Sequence, residues 1–354
     1  MGKHTELIDG GLRSLVGTRK FYKKVLLVAV PIMIQNGITN FVSLLDNIMV
    51  GQVGTEQMSG VAIANQLVFI FNLCIFGAVA GAGILGAQFY GSGNAEGVRD
   101  TFRFKLLFGV ILSAIFAVIF LTVGEPLIQQ FIHQGEGIGD LEATRSYGKA
   151  YLEVIVIGIL PFALTQCYSG TLRETGETVI PMIAGIIAVC VNLVFNYILI
   201  FGKLGAPELG CVGAAIATVL SRFVELAIVA GWTHKHAARN PFIRGALRSF
   251  KIPGSLLKQI IAIGLPLFIN ELMWSFGITF MTQCYSVRGL EVVAAFNIAN
   301  TISNVFNVVF LSLGNSVGII IGQMLGAGRL EEAKREDKQL IAFSVFCCFL
   351  TGAM

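Results

Sequence analysis

Charge along the chain falls into long gaps. Eight stretches are uncharged throughout: 25–45, 57–95, 106–124, 154–172, 178–202, 259–287, 292–328 and 339–354. A further apolar stretch, 209–233, is broken only by Arg222 and Glu225. A spanning helix needs about 20 mostly apolar residues, so the pattern predicts nine membrane segments and an all-α fold. The runs at 57–95 and 292–328 exceed one straight span, so each is expected to contain an uncharged loop. Pro31, Pro161, Pro181 and Pro266 fall inside predicted helices, which neighbours in a bundle tolerate.

Composition narrows the function classes. Of 354 residues, 55% are hydrophobic and 13% charged, against about 25% charged in soluble domains. The mean hydropathy is +0.77. A soluble globular enzyme is excluded, and so is a disordered chain. The seven cysteines lie in or at the edge of apolar runs without a C-x-x-C; they read as small apolar side chains, with no metal site or disulfide expected. A 24-residue polar leader precedes the first run and no small-residue cleavage site follows it, so that run reads as a membrane helix and not a signal peptide. Glu6 stands where myristoylation needs Ser or Thr.

Basic residues report orientation, because cytoplasmic loops are rich in Lys and Arg. With the N-terminus inside, twenty of the 25 Lys and Arg fall on the inner side, among them Arg99, Arg103, Lys105, Arg173 and the cluster within 235–258. Four fall outside: Arg145, Lys149, Lys203 and Arg288. This predicts a multi-pass cell-membrane protein with a cytoplasmic N-terminus. The basic stretch 235–258 reads as a cytoplasmic loop and not a nucleic-acid site, since the bias follows membrane side.

The sequence repeats itself. Displaced by 235 residues without gaps, 31–100 aligns with 266–335 at 16 identities in 70 positions. Pro31 matches Pro266, Ile63-Ala64-Asn65 matches Ile298-Ala299-Asn300, Gln88 matches Gln323, Gly91 matches Gly326 and Gly93 matches Gly328. Six segments separate the partners, so both copies enter the membrane with the same polarity. Parallel repeats related by an axis along the membrane normal are a transporter architecture. The repeat predicts twelve helices. Segments 1–24 (cytoplasmic), 25–233 (a first six-helix lobe), 234–258 (a basic cytoplasmic linker) and 259–354 (an incomplete second lobe of about three helices) follow as the organisation. The last apolar run has 16 residues, which leads to the expectation of a fragment of a longer protein.

Polar residues within apolar runs are the candidate chemistry, because a charge at the bilayer centre costs about 2.5–3.5 kcal/mol on insertion scales. Glu271 is the thirteenth residue of a 29-residue uncharged run, with Asn270 beside it and Pro266 five residues before. It reads as an acid that binds a proton, Na⁺ or a cationic substrate, or as a protonated carboxyl bonded between helices. Asp46 lies 22 residues past Lys24, which fits either a helix end or, if the helix continues through the uncharged 47–55, an ion site. Arg222 and Glu225 are spaced for a local ion pair. Asn192 and Asn196 share a helix face and suit either a ligand or neighbouring helices. Gly77, Gly81, Gly83 and Gly86 suit close helix contact. No G-x-x-x-x-G-K occurs, so the sequence gives no support to ATP-driven transport.

At these residues the sequence resembles the multidrug and toxic compound extrusion (MATE) family. The matches are Leu45-Asp46-Asn47-Ile48-Met49-Val50-Gly51 with Gly54, and Asn192-Leu-Val-Phe-Asn196 through Gly202 and Gly213 to Thr218. They also include Gly86-Ala-Gln88-x-x-Gly91-x-Gly93 with its echo Gly322-Gln323-x-x-Gly326-x-Gly328, and Pro266 with Glu271. Together they run through most of the chain. The resemblance implies a MATE-like 6+6 helix fold and an antiporter, not an enzyme. Such a protein exports cationic, amphipathic compounds in exchange for Na⁺ or H⁺, with no other cofactor. By position, Asp46 and Glu271 would be the coupling acids of the two lobes. Gln35, Asn36, Asn192, Asn196 and Asn270 are the residues expected to line a substrate or ion cavity. Asn196 stands where some members carry Asp. The expected partners are a small cationic substrate and the bilayer, with the chain acting as a monomer. The alternative is a MATE-related flippase for lipid-linked saccharide or peptidoglycan precursors. It would need cations facing an anionic pyrophosphate, whereas the isolated intramembrane charges read as acids.

Overall fold

A computed structural model describes residues 15–132, 140–286 and 290–352. The described residues form nine α-helices: α1 (Arg19–Gly51), α2 (Thr55–Gly91), α3 (Ala95–Ile132), α4 (Leu141–Glu174), α5 (Val179–Ile200), α6 (Gly210–Lys235), α7 (Gly254–Ser286), α8 (Leu290–Gly326) and α9 (Leu330–Gly352). Each contains one of the nine predicted segments or nearly all of it. Eight are long and apolar enough to cross a membrane; α9 carries its charges between Glu331 and Lys338. Lys3, Arg13 and Arg288 of the charge count, and the repeat position Gly289, lie outside the described residues.

Helix starts follow local chemistry. The Thr18 hydroxyl accepts from Phe21 N–H at 3.3 Å before α1. Asp140 accepts from Glu142 and Ala143 N–H at 3.0 and 3.1 Å before α4, and Asn94 from Gly97 N–H at 2.9 Å at the head of α3. These caps satisfy amides that have no partner within the helix. The loops expected within the two long runs lie at their ends, at 92–94 and 327–329. The helices before them keep 37 residues each, about 55 Å at 1.5 Å per residue, and so outreach a hydrocarbon core of about 30 Å.

The internal repeat is carried into the backbone. The start and end of α1 and α2, displaced by 235, are those of α7 and α8, and the start of α3 becomes that of α9. The turns repeat as well. Asn94 N–H bonds to Phe89 C=O at 2.9 Å, and Arg329 N–H to Met324 C=O at 3.1 Å. Gly93 and Gly328, with φ of 73° and 74°, sit in the left-handed region, where a side chain is costly.

The two copies touch reciprocally. A Cβ on Gly91 would run into the Gln323 carbonyl, and a Cβ on Gly326 into the Gln88 carbonyl. Residue i meeting j while j's partner meets i's is the mark of a two-fold relation. Its axis follows from helix directions. Gly77 faces Phe268 and Gly81 faces Gly264, so α2 and α7 run antiparallel. Asn36 donates to Ser312 at 3.2 Å while Phe21 and Val25 cluster with Ile320 and Met324, so α1 and α8 also run antiparallel. Since α1 and α2 form a hairpin, α2 and α8 are parallel and the axis lies along the helices.

In lipid, such helices associate by close packing and not by excluding water, which favours small residues at crossings. A Cβ on Gly81 would lie 2.5 Å from the Gly264 Cα. Gly91→Ala and Gly326→Ala should therefore each destabilise by about 1–3 kcal/mol, the usual cost of overpacking. The two losses should be similar, because the sites are equivalent. Thermal unfolding in detergent, compared with the open position Gly314→Ala, measures this; two unchanged melting temperatures would contradict the close crossing.

Candidate functional site

Asp46 lies five residues before the end of α1. The helix does run on past it, and the carboxylate meets α5. Asn196, fully buried, donates from Nδ2 to Asp46 Oδ1 at 2.5 Å and to Asn192 Oδ1 at 3.2 Å. Asn192 Nδ2 points to Thr218 Oγ1 on α6 at 3.3 Å. With its amide turned over, Asn192 reaches Asp46 Oδ1 at 3.1 Å instead. The four-residue spacing of the two asparagines on α5 puts both amides on one face, opposite the acid of α1.

Two cavities border this group, and a third adjoins the larger of them. A small one of about 70 Å³ holds Asp46, Asn192, Thr218, Ser221 and Glu225 between α1, α5 and α6. Its volume suits an ion or a few waters, and its wall offers carboxylate, amide and hydroxyl oxygens, the set that hard cations take, beside the Arg222 guanidinium, which Glu225 pairs. A second, of about 350 Å³, is bounded by Asp46, Asn65, Tyr151, Thr218 and Arg222 among apolar side chains. Tyr151 donates to Asn65 at 3.2 Å. Arg222 pairs with Glu225 at 3.1 Å, as its spacing predicts, and lies 5.1 Å over the Phe162 ring. The third, of about 440 Å³, lies between α2, α4 and α8, where the first six helices meet the last three. Phe69, Asn72 and Phe162 border both large cavities.

The expected site residues do not form one cluster. Asp46, Asn192 and Asn196 come together. Gln35 accepts from Arg173 Nη2 at 2.5 Å, and Asn36 ties α1 to α8 through Ser312. Glu271 is half-buried on α7 and Asn270 is exposed; neither borders any of these three cavities.

Sequence reasoning missed an ion pair. Lys105 Nζ lies 2.5 and 2.6 Å from the two Glu174 oxygens and 3.2 Å from Thr171 Oγ1. Lys105 is 1% exposed and Glu174 6%. The charge count assigns Lys105 and Arg173 to inner segments between apolar runs, but the structure places neither in a loop. Both sit in helices, one buried and one on the wall of the third cavity. The interior thus holds cations as well as acids. The expected packing role of Gly83 and Gly86 is also more specific, since a Cβ on either would collide with the Glu174 carboxylate. The partners are 69 residues apart, with no local signature to find them by.

Known proteins agree with this architecture. The MatE family model matches residues 31–198 and 266–354. The probable multidrug resistance protein NorM of Thermotoga maritima is 29% identical over 312 residues, covering 87% of this chain and 64% of that protein. The chain therefore spans less than two thirds of that relative. The multidrug resistance protein MdtK of Edwardsiella ictaluri is 26% identical over 325 residues, covering 90% and 68%. A crystal structure of MATE in complex with MaD3S superposes with a TM-score of 0.81 at 23% identity, over 96% of this chain and 73% of that one. A multidrug resistance MATE family transporter in an outward-facing conformation gives 0.80 at 23%, over 96% and 72%. These structures share the fold. With the family match extending over both copies of the repeat, the chain belongs to the MatE family of multi-pass membrane proteins.

Proposed function

We propose that the protein is a secondary active antiporter that exports cationic amphipathic compounds in exchange for Na⁺ or H⁺. The observation that carries the reading is the placement of Asp46. It is an acid inside a helix bundle, bonded by one buried asparagine and opening on both an ion-sized cavity and a larger, partly aromatic one. A carboxylate shared by the two can hold an ion or a cationic substrate but not both, and that exclusion is what exchange requires. Glu271 is the second acid of the proposal, in the lobe begun by α7. The printed names of the relatives, multidrug resistance proteins, support the same reading.

The test is export of a fluorescent cationic dye from proteoliposomes under an imposed Na⁺ or H⁺ gradient. Efflux that depends on one gradient and stops when an ionophore collapses it is expected; leakage unaffected by either gradient would refute antiport. The proposal also places the N-terminus in the cytoplasm. A cysteine-accessibility or enzymatic reporter fused after His236 should read cytoplasmic and one in the 203–205 turn external; reversed accessibility would overturn the orientation.

A further inference from the structure

The segment that joins the two copies of the repeat is a folded platform and not a loose tether. Between α6 and α7 the chain makes short helical turns at Pro241–Ile243 and Ala246–Arg248. Phe242, Ile243 and Ala246 are buried in one cluster with Phe102 of α3 and Tyr168 of α4. Arg103 of α3 clamps the second turn, donating to the Gly245 and Ala246 carbonyls at 2.8 and 3.0 Å. Further along, Ile252, Leu256 and Ile260 join a cluster with Leu85 of α2 and Phe104 of α3.

The residues between these anchors are turned outward, and they are of two kinds. Leu247 and Phe250 are 53% and 47% exposed, and Leu257 is exposed on the first turn of α7. Arg248, Lys251 and Lys258 alternate with them and are exposed as well. No Asp or Glu occurs in 235–258, and none of these three cations has an acidic partner among the described residues. The lipid-facing surface begins beside them. Phe108 of α3, stacked on Phe104 at 5.7 Å, and Ile261 of α7 are both exposed, on helices long and apolar enough to cross a membrane. The uncharged run of α7 opens at 259, directly after Lys258, which sets these cations at the level of the lipid headgroups.

We propose that this platform is a docking surface for anionic phospholipid of the leaflet it abuts, with Leu247 and Phe250 in the acyl boundary and Arg248, Lys251 and Lys258 on lipid phosphates. Under the orientation read from Lys and Arg, that leaflet is the inner one. Interfacial attachment of this kind adds apolar burial to attraction toward anionic headgroups. Arg248 can take a phosphate through two N–H groups, and the two lysines act as point charges. The platform is clamped to α3 and runs directly into α7, so a lipid held there bears on both copies of the repeat. The inference goes beyond the antiport reading and does not depend on it.

The experiment places the full chain in nanodiscs that all hold the same share of phosphatidylcholine brominated on its acyl chains. The discs differ only in how much phosphatidylglycerol replaces ordinary phosphatidylcholine. Phe250→Trp supplies the probe, and the wild-type chain supplies the background of Trp232 and Trp274. Quenching of the introduced tryptophan should rise about twofold between discs without phosphatidylglycerol and discs with about one third of it, as attraction draws the platform into the boundary. Adding Arg248→Gln, Lys251→Gln and Lys258→Gln should remove most of that rise. Arg19→Gln, Lys20→Gln and Lys23→Gln, which take the same charge from another exposed segment, should leave it in place. Raising NaCl from about 0.1 M to about 1 M cuts the screening length to about 3 Å and should act like the first triple variant. The salt arm needs no further substitution, so it holds even if that triple variant fails to fold. Quenching that is absent, that is already complete without phosphatidylglycerol, or that both triple variants reduce equally would overturn the proposal.

Discussion

Asp46→Asn is expected to reduce gradient-driven dye export to the level of protein-free vesicles, at protein abundance close to wild type. The substitution keeps shape and removes charge. Asn196 can still bond to the remaining carbonyl oxygen of residue 46, so the packing of α1 on α5 should survive. What is lost is the one negative charge that faces both the ion-sized cavity and the larger cavity. A neutral amide neither takes up a proton in this range of pH nor holds Na⁺ as a carboxylate does, so ion entry no longer has a counterpart in substrate release. Glu271→Gln is the companion measurement. Glu271 lies outside the cavities that Asp46 borders, so a loss of coupled export at matched abundance would assign it a separate ion-binding step. Wild-type exchange in Glu271→Gln would reduce it to a packing residue. Wild-type exchange in Asp46→Asn would refute the mechanism as a whole.

Glu174→Ala should be among the most destabilising single changes in the chain. It leaves Lys105, with none of its side chain exposed, as an unpaired cation between helices. Removing one partner of a buried pair costs about 3–5 kcal/mol, because the other charge keeps its desolvation penalty without its attraction. It also empties the space that Gly83 and Gly86 leave for the carboxylate. The double variant Lys105→Met, Glu174→Gln removes both charges and keeps most of the volume, so it should regain much of the lost stability. Thermal unfolding in detergent for the single and double variants measures this. A single variant within about 1 kcal/mol of wild type, or a double variant worse than the single, would show that the pair is not what holds these helices.

The membrane segments were legible because lipid permits few charges, and the uncharged runs mark where that pressure applies. The helix ends were not. The uncharged run 106–124 becomes a helix from Ala95 to Ile132, because Asp100 and Arg103 pair with each other at 2.9 Å and Lys105 with Glu174. Paired charges satisfy each other inside a helix that a charge-based reading stops short of. The candidate site divides along the same line. Asn192 and Asn196 could be read from local spacing, and their common face is what meets Asp46. That Asp46 lies opposite them across 150 residues, or that Arg173 reaches Gln35, depends on how α1 sits against α4 and α5, which no spacing within one helix encodes.

The 235-residue displacement reproduces backbone far more faithfully than it reproduces charge. Carried across it, Asp46 falls on Met281, Glu271 falls on Asn36, and Gln35 falls on Asn270. Each half therefore keeps an acid where its twin has a neutral residue. The two acids also differ in position along their helices by ten residues, about 15 Å of rise. A duplicated frame would by itself offer an ion two identical stations at one depth. Under the antiport proposal the two acids would be dissimilar stations at different depths, so cations bound at Asp46 and at Glu271 would feel different fractions of the membrane voltage.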